Sequence, residues 1–320
     1  MATEIIAGKA KKKTEYIYGR DRNTQLMLHA MLLPGTLLII VFCVIPLFGI
    51  LIAFTNYKPT MGWSGIFTAQ FNHFQNFKQV FRSSQFWPMV RNTLGINLIG
   101  QAVSIPLTIL FALLINELVS KKAKSLVQTV TYMPHFLSWA VFGDLVITML
   151  SADHGALNVL LQALGVIDAP VAWMGKSEYF WFIVILANLF KELGWGAIIY
   201  LAAIAGVDPE LYEAAAIDGA KRHHRMLHVT LPAILPTVMI MIIFAVGGML
   251  NNNFSQIYVF QNSLNMDTSQ VIDTYVYEIG MQKFQFGVAM AASLMKSFFA
   301  LFLLSAANFS SKKLTGSGLF

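Results

Sequence analysis

The chain alternates long apolar runs with short polar ones. No formally charged residue occurs between Arg22 and Lys58, and 29–54 is almost wholly apolar. At about 1.5 Å per residue such a run exceeds the roughly 30 Å hydrocarbon core of a bilayer. Further runs of this kind cover 93–115, 126–150, 180–203, 233–250 and 286–307, so the pattern predicts six membrane helices. Pro46, Pro106, Pro134, Pro232 and Pro236 fall in or at the ends of these runs, where each removes a backbone hydrogen bond and predicts a kink. The basic stretch ahead of the first run resembles the start of a signal peptide. The apolar part is too long for one and contains Pro34 and Pro46, so an uncleaved start-transfer helix is expected.

Composition agrees with a polytopic membrane protein. Of 320 residues 56% are hydrophobic and 12% charged, with a mean hydropathy of +0.61. Soluble domains carry about 25% charged residues, so that class is excluded. The net charge of +6 is explained by topology rather than by nucleic acid. Fourteen of the 22 Lys and Arg lie in the segments 9–22, 121–124, 221–225 and 312–313, which alternate with poorer segments as the positive-inside rule requires. Both termini are therefore expected in the cytoplasm. The organisation expected is a basic tail over 1–28, a six-helix transmembrane domain over 29–310 with a cytoplasmic loop at 207–232, and a short tail over 311–320. The first outer loop, 55–92, carries Lys58, Lys78, Arg82 and Arg91 with no acidic residue; its length and its many Phe and Trp residues predict a structured external element. Cys43 is the one cysteine, which excludes an intrachain disulfide and any metal site built on cysteines.

Four charges fall inside predicted spans: Asp144, Lys191, Glu192 and Lys296. Each costs about 2.5 to 3.5 kcal/mol on insertion scales. Lys191 and Glu192 are adjacent, so on a helix they project about 100° apart and are expected to find separate partners. Pairing across helices, Glu192 with Lys296 or Asp144 with Lys191, is one solution. The other is that Lys191, Glu192 and Lys296 face a route through the bundle and meet an acidic solute. Asn252, Asn253 and Tyr258, just beyond the fifth span, add amides, a hydroxyl and an aromatic face, the groups that orient a polar ligand, and join them as candidate route residues. His223, His224 and His228 include an i, i+4 pair, but lack a third ligand, so no metal site is expected. No nucleophile with a general base presents itself, and no catalytic residue is expected.

The loop 207–232 is the most informative segment. Asp208 is a good N-cap, Pro209 suits the first helical position, and Glu210 places a negative charge in the first turn, so a short helix is predicted from Pro209 to Ile217. Gly219 permits a sharp reversal and Pro232 marks the start of the next span. Within it Glu213-Ala214-Ala215 is followed after three residues by Gly219, and after nine more by Val229-Thr230-Leu231-Pro232. This pattern resembles the EAA loop of the membrane subunits of bacterial binding-protein-dependent ABC importers, with Val229 where isoleucine is usual. The segments Thr131-Tyr-Met-Pro-His-Phe-Leu-Ser-Trp139, Tyr275-Val-Tyr277 and Phe286-Gly-Val-Ala-Met290 look like its carbohydrate-uptake branch, and more narrowly like the subclass that serves oligosaccharides and polysaccharides, alginate among them.

The resemblance implies an all-α, six-span type I ABC importer permease in the bacterial inner membrane, moving an oligosaccharide, acidic and alginate-like. It implies that Asp208, Glu213, Ala214, Ala215 and Gly219 form the contact with an ATPase. The implied partners are a second permease subunit, two ATP-binding cassette subunits, an external solute-binding protein and membrane lipid, without nucleic acid. No cofactor is expected on this chain, ATP and Mg being used by the partner ATPase. Its one near match to a phosphate loop, Gly175-Lys176-Ser177, has Pro170 where glycine is required. A neutral oligosaccharide or a glycerol phosphate are alternative cargoes. An ion-coupled secondary transporter would call for an inverted repeat, and none is evident.

Overall fold

The computed structural model describes residues 22–251 and 253–315. The tail residues Lys9, Lys11, Lys12, Lys13 and Arg20, the candidate Asn252, and the last five residues of the chain lie outside the described residues. Among the described residues the regular structure is helical, apart from one isolated antiparallel bridge between Thr55 and Phe71.

Helix α1 (Arg22–Ile39) continues through a π-turn at Ile40–Val44 and a 3-10 segment at Phe48–Phe54. These irregular turns bracket Pro46, whose missing N–H leaves a carbonyl of the preceding turn without its usual donor. Short α2 (Gln75–Arg82) precedes α3 (Phe86–Asn116). Next come α4 (Lys121–Tyr132), α5 (Trp139–Met149), α6 (Ala156–Ala163) and α7 (Ser177–Ala205). The connector α8 (Pro209–Ile217) leads to α9 (Leu231–Gly247), then to α10 (Phe254–Phe260), α11 (Ile272–Tyr277) and α12 (Phe286–Thr315).

Among the described residues five stretches are long and apolar enough to cross a membrane: Gln25–Phe54, Phe86–Asn116, Ser177–Ala205, Arg222–Gly247 and Phe286–Phe309. The sixth is broken. The expected third span, 126–150, resolves into α4 and α5, bent by 100°. Pro134 lies in a 3-10 turn at Met133–Phe136, Leu137 is extended, and the Ser138 hydroxyl accepts from the Val141 N–H to start a new helix. The signal for a fresh N-terminus overrides the continuity of the apolar run.

Helices α3 and α7 run along each other through the centre of the bundle. Where α4 crosses α7 the backbones touch, since a Cβ at Gly194 would fall 2.3 Å from the Thr131 carbonyl oxygen. Small residues at crossings are what membrane helices use to approach closely. Three buried apolar clusters tie the bundle together: Val80, Met89, Tyr275 and Ala292 join α2, α3, α11 and α12, while Phe142, Phe180 and Phe260 join α5, α7 and α10. Leu113, Ala197 and Ile234 join α3, α7 and α9.

The loops at one end are held by buried amides. Asn92 Nδ2 donates to the carbonyls of Asp267 and Gln270 at 2.9 Å each. Asn158 donates to Ser151 and Val171 carbonyls and accepts from the Trp173 indole. The long first loop is structured as expected, with Asn76 Nδ2 donating to the carbonyls of Ile52, Ala53 and Thr55.

Candidate functional site

Between α3, α7 and the start of α10 lies a cavity of about 340 Å³ whose walls are unusually polar for the middle of an apolar bundle. Its polar side chains come in helical stripes. From α3 it takes Asn97, Gln101, Ser104 and Thr108, spaced i, i+4, i+7 and i+11. From α7 it takes Asn188, Glu192 and Tyr200 at multiples of four, with Gly196 completing the row. Met241 of α9 and the residues Asn251, Asn253 and Gln256 close it. Such a set fits sugar hydroxyls, since amides both donate and accept. The two stripes went unnoticed in the sequence, although amides and hydroxyls at i, i+4 and i+7 on one face of an apolar span are a legible signal.

Glu192 is the one charged residue on this lining among the described residues, and it is clamped. The Lys191 ammonium lies 3.3 Å from Glu192 Oε1 and donates to the His135 carbonyl at 2.6 Å. His135 Nδ1 is bonded to Glu192 Oε2 at 2.7 Å, and the imidazole stacks on Trp195 with centroids 4.3 Å apart. Lys191 itself is 3% exposed, with its charge 5.4 Å from the Trp139 ring centroid. The expectation that adjacent Lys191 and Glu192 find separate partners is therefore corrected. The flexible four-carbon stem of lysine reaches around the helix to its neighbour. The clamp sits at the break between α4 and α5, which supplies both His135 and Trp139.

Lys296 is not on this cavity. It pairs with Asp273 Oδ1 at 2.5 Å, both groups being largely buried. Neither suggested cross-helix pair forms: Glu192 does not meet Lys296, and Asp144 is exposed on α5 away from Lys191's partners. Sequence reasoning missed Asp273 because it precedes the last span on α11, outside any apolar run. Asn253 both lines the cavity and caps α10, accepting from the Gln256 N–H. Gln256 in turn donates to the Val184 carbonyl at 2.7 Å, fixing α10 on α7. Tyr258 faces elsewhere, 44% exposed, stacked on Phe254 at 5.3 Å and edge-on to Tyr277. The hydrogen bond with Tyr277 pushes its phenol above the ordinary tyrosine value. Of the candidate route residues, the structure thus brings Glu192 and Asn253 together, places Lys191 behind them, and leaves Tyr258 and Lys296 apart.

The connector α8 has the predicted bounds. Asp208 Oδ1 accepts from the Glu210 N–H at 3.0 Å, Pro209 is the first helical residue, and Gly219 takes φ +75° to reverse the chain. No residue of α8 is buried, and Glu213 and Ala214 are exposed. Its inner face is anchored through Tyr212, whose hydroxyl lies 3.0 Å from Thr230 Oγ1.

A bundle of membrane-crossing helices with a half-open polar cavity and a projecting connector helix defines a membrane permease. The chain belongs to the family of binding-protein-dependent transport system inner membrane components, whose model matches residues 104–315. It is similar to the protein LplB of Bacillus subtilis (strain 168), with 36% identity over 293 residues, 92% of this chain and 91% of that one. The polygalacturonan/rhamnogalacturonan transport system permease protein YteP of the same organism is 36% identical over 296 residues, again covering 92% and 91%. A chain in the crystal structure of a bacterial alginate ABC transporter, in complex with alginate pentasaccharide-bound periplasmic protein, superposes with a TM-score of 0.84. It is 34% identical, covering 93% of this chain and 98% of that one. The protein is an ABC importer permease subunit of the sugar-transporting kind, a membrane component and not itself an enzyme.

Proposed function

We propose that this chain is one of two permease subunits of an ATP-driven importer that moves an acidic, alginate-like oligosaccharide across the membrane. The observation that carries the sugar reading is the cavity lined by Asn97, Gln101, Ser104, Asn188 and Asn253 inside an apolar bundle. The acidic reading is supported by the relatives, since YteP is a polygalacturonan/rhamnogalacturonan permease and the structural match belongs to an importer of alginate. Two ATPase subunits would supply the energy with their own ATP and Mg, and α8 would be the coupling helix. In that role Glu213 is the charged contact, Ala214 and Ala215 let the ATPase approach closely, and Asp208 and Gly219 fix the two ends of the helix. ATP binding would close the ATPases and swing the permeases outward, while a solute-binding protein delivers the sugar. Exposed Lys58, Lys78 and Arg82 on the first loop are offered to that protein. Arg91 is engaged instead, donating to the Asp267 carbonyl at 3.0 Å.

A neutral oligosaccharide is the second reading. It is favoured by the placement of Lys191 and Lys296, neither of which opens onto the cavity. The test is co-purification from native membranes in mild detergent, followed by ATPase assay with added binding protein and a panel of uronic and neutral oligosaccharides. Stimulation by uronic sugars supports the proposal; stimulation by neutral sugars alone replaces it with the second reading. A chain that purifies without an ATPase would sink both.

A further inference from the structure

The Tyr212–Thr230 contact ties the connector to a span that walls the cavity. We propose that Tyr212 is a positioning residue whose hydrogen bond to Thr230 makes α8 and α9 move as one body, so that displacement of the connector reaches the cavity. The inference rests on reading α8 as the coupling helix.

Little else holds α8. It has no buried residue, and Tyr212 and Ala215, one turn apart, are its half-buried positions. It is flanked by Gly206 on one side and by Gly219, with its left-handed backbone, on the other. A short helix between two glycines would swivel under load unless something pinned it.

Thr230 is a built anchor. It is 1% exposed, and its hydroxyl also donates to the Arg225 carbonyl at 3.4 Å. A hydroxyl has one proton to give, so with that proton directed at Arg225 the Tyr212 phenol is the donor to Thr230. The chain of bonds runs from Tyr212 through Thr230 to Arg225, and removing the phenol hydroxyl leaves a buried acceptor without its donor.

Thr230 ends the π-turn Met226–Thr230, in which the Leu231 N–H bonds the Met226 carbonyl, and this turn opens directly into α9. Single π-turns inside helices concentrate at functional positions. About three turns on, α9 presents Met241 to the cavity, and Asn251 and Asn253 follow beyond its end. The tie and Met241 on the cavity wall are therefore parts of one helix.

The test uses the full complex with both permeases, the ATPases and the binding protein in proteoliposomes, and reads sugar taken up per ATP hydrolysed. Tyr212→Phe and Thr230→Val should each lower that ratio by about threefold to tenfold, the range expected for one hydrogen bond. Thr230→Ser should restore it, and the double variant should be no worse than either single one. A wild-type ratio in Tyr212→Phe, failure of Thr230→Ser to restore, or additive losses would overturn the proposal. Should Thr230→Val fail to assemble, Tyr212→Phe, which keeps the ring and its packing, decides alone. Glu213→Lys separates the two readings. If it lowers uptake while Tyr212→Phe does not, only the tie falls; if the complex assembles and transports normally with Glu213→Lys, the coupling-helix reading falls with it.

Discussion

Lys191 and Glu192 are neighbours on α7, yet Nζ and Oε1 meet at 3.3 Å, and only the glutamate reaches the cavity. The lysine stands behind it, holding the His135 carbonyl at 2.6 Å. A charge for which the sequence left open a cross-helix pair or an acidic cargo is used to stabilise the protein's own carboxylate at the break between α4 and α5.

Lys191→Met should therefore cost stability first. It leaves the His135 carbonyl without its donor and Glu192 with one partner, a loss on the order of 2 kcal/mol. Thermal unfolding of the purified complex should shift downward, and because Glu192 then faces the cavity without its ammonium, uronic uptake should fall more than neutral uptake. An unchanged unfolding temperature would show that the ammonium does not hold this break together.

Glu192→Gln should change preference. It removes the single charge on the cavity lining among the described residues while keeping the shape of the side chain. Relieving a like-charge repulsion of about 1 kcal/mol raises uptake of a uronic oligosaccharide about fivefold relative to a neutral one. Competition between labelled uronic and neutral sugars measures the ratio; an unchanged ratio would show that cargo carboxylates never come near this wall.

Lys296 and Asp273 call for a double-mutant cycle. Both groups are largely buried and bonded at 2.5 Å, so Lys296→Met alone strands a carboxylate and Asp273→Asn alone strands an ammonium. The double variant should recover part of either loss, with a coupling of about 1 to 3 kcal/mol in the stability of the complex. Purely additive losses would mean that the pair contributes nothing as a pair.

What could be read from the sequence was what local chemistry decides. Asp208-Pro209 and Gly219 each act within a turn, and α8 falls on its predicted bounds. The span count follows from transfer energies, which depend on composition alone. What escaped was whatever tertiary placement decides. Pro134 predicted a kink in the apolar run 126–150, but the full 100° break also needs the Ser138 cap, which hydropathy does not register. Asp273 lies 23 residues from Lys296 and outside any span, so nothing local paired them. The stripe from Asn97 to Thr108 was visible in principle, but hydropathy averages over the very positions that matter.

The crossing of α4 over α7 yields the last prediction. Gly194 is buried, and a Cβ there would lie 2.3 Å from the Thr131 carbonyl oxygen and 2.6 Å from its carbon, both backbone atoms that cannot rotate aside. Gly194→Ala must push α4 away from α7, at a cost of about 1 to 3 kcal/mol for overpacking. The same displacement carries His135, three residues beyond α4, away from Glu192 and Trp195. The variant should thus lose thermal stability and also free Glu192, so its preference between uronic and neutral sugars should move even though Gly194 does not line the cavity. Gly196→Ala is the control two residues on, across the helix: its Cβ would meet only the Thr108 side chain, the methyl at 3.3 Å, far from the α4 contact. It should cost less than Gly194→Ala in the same unfolding assay. Equal costs in the two variants would mean that α4 is not seated on α7 as closely as this crossing requires.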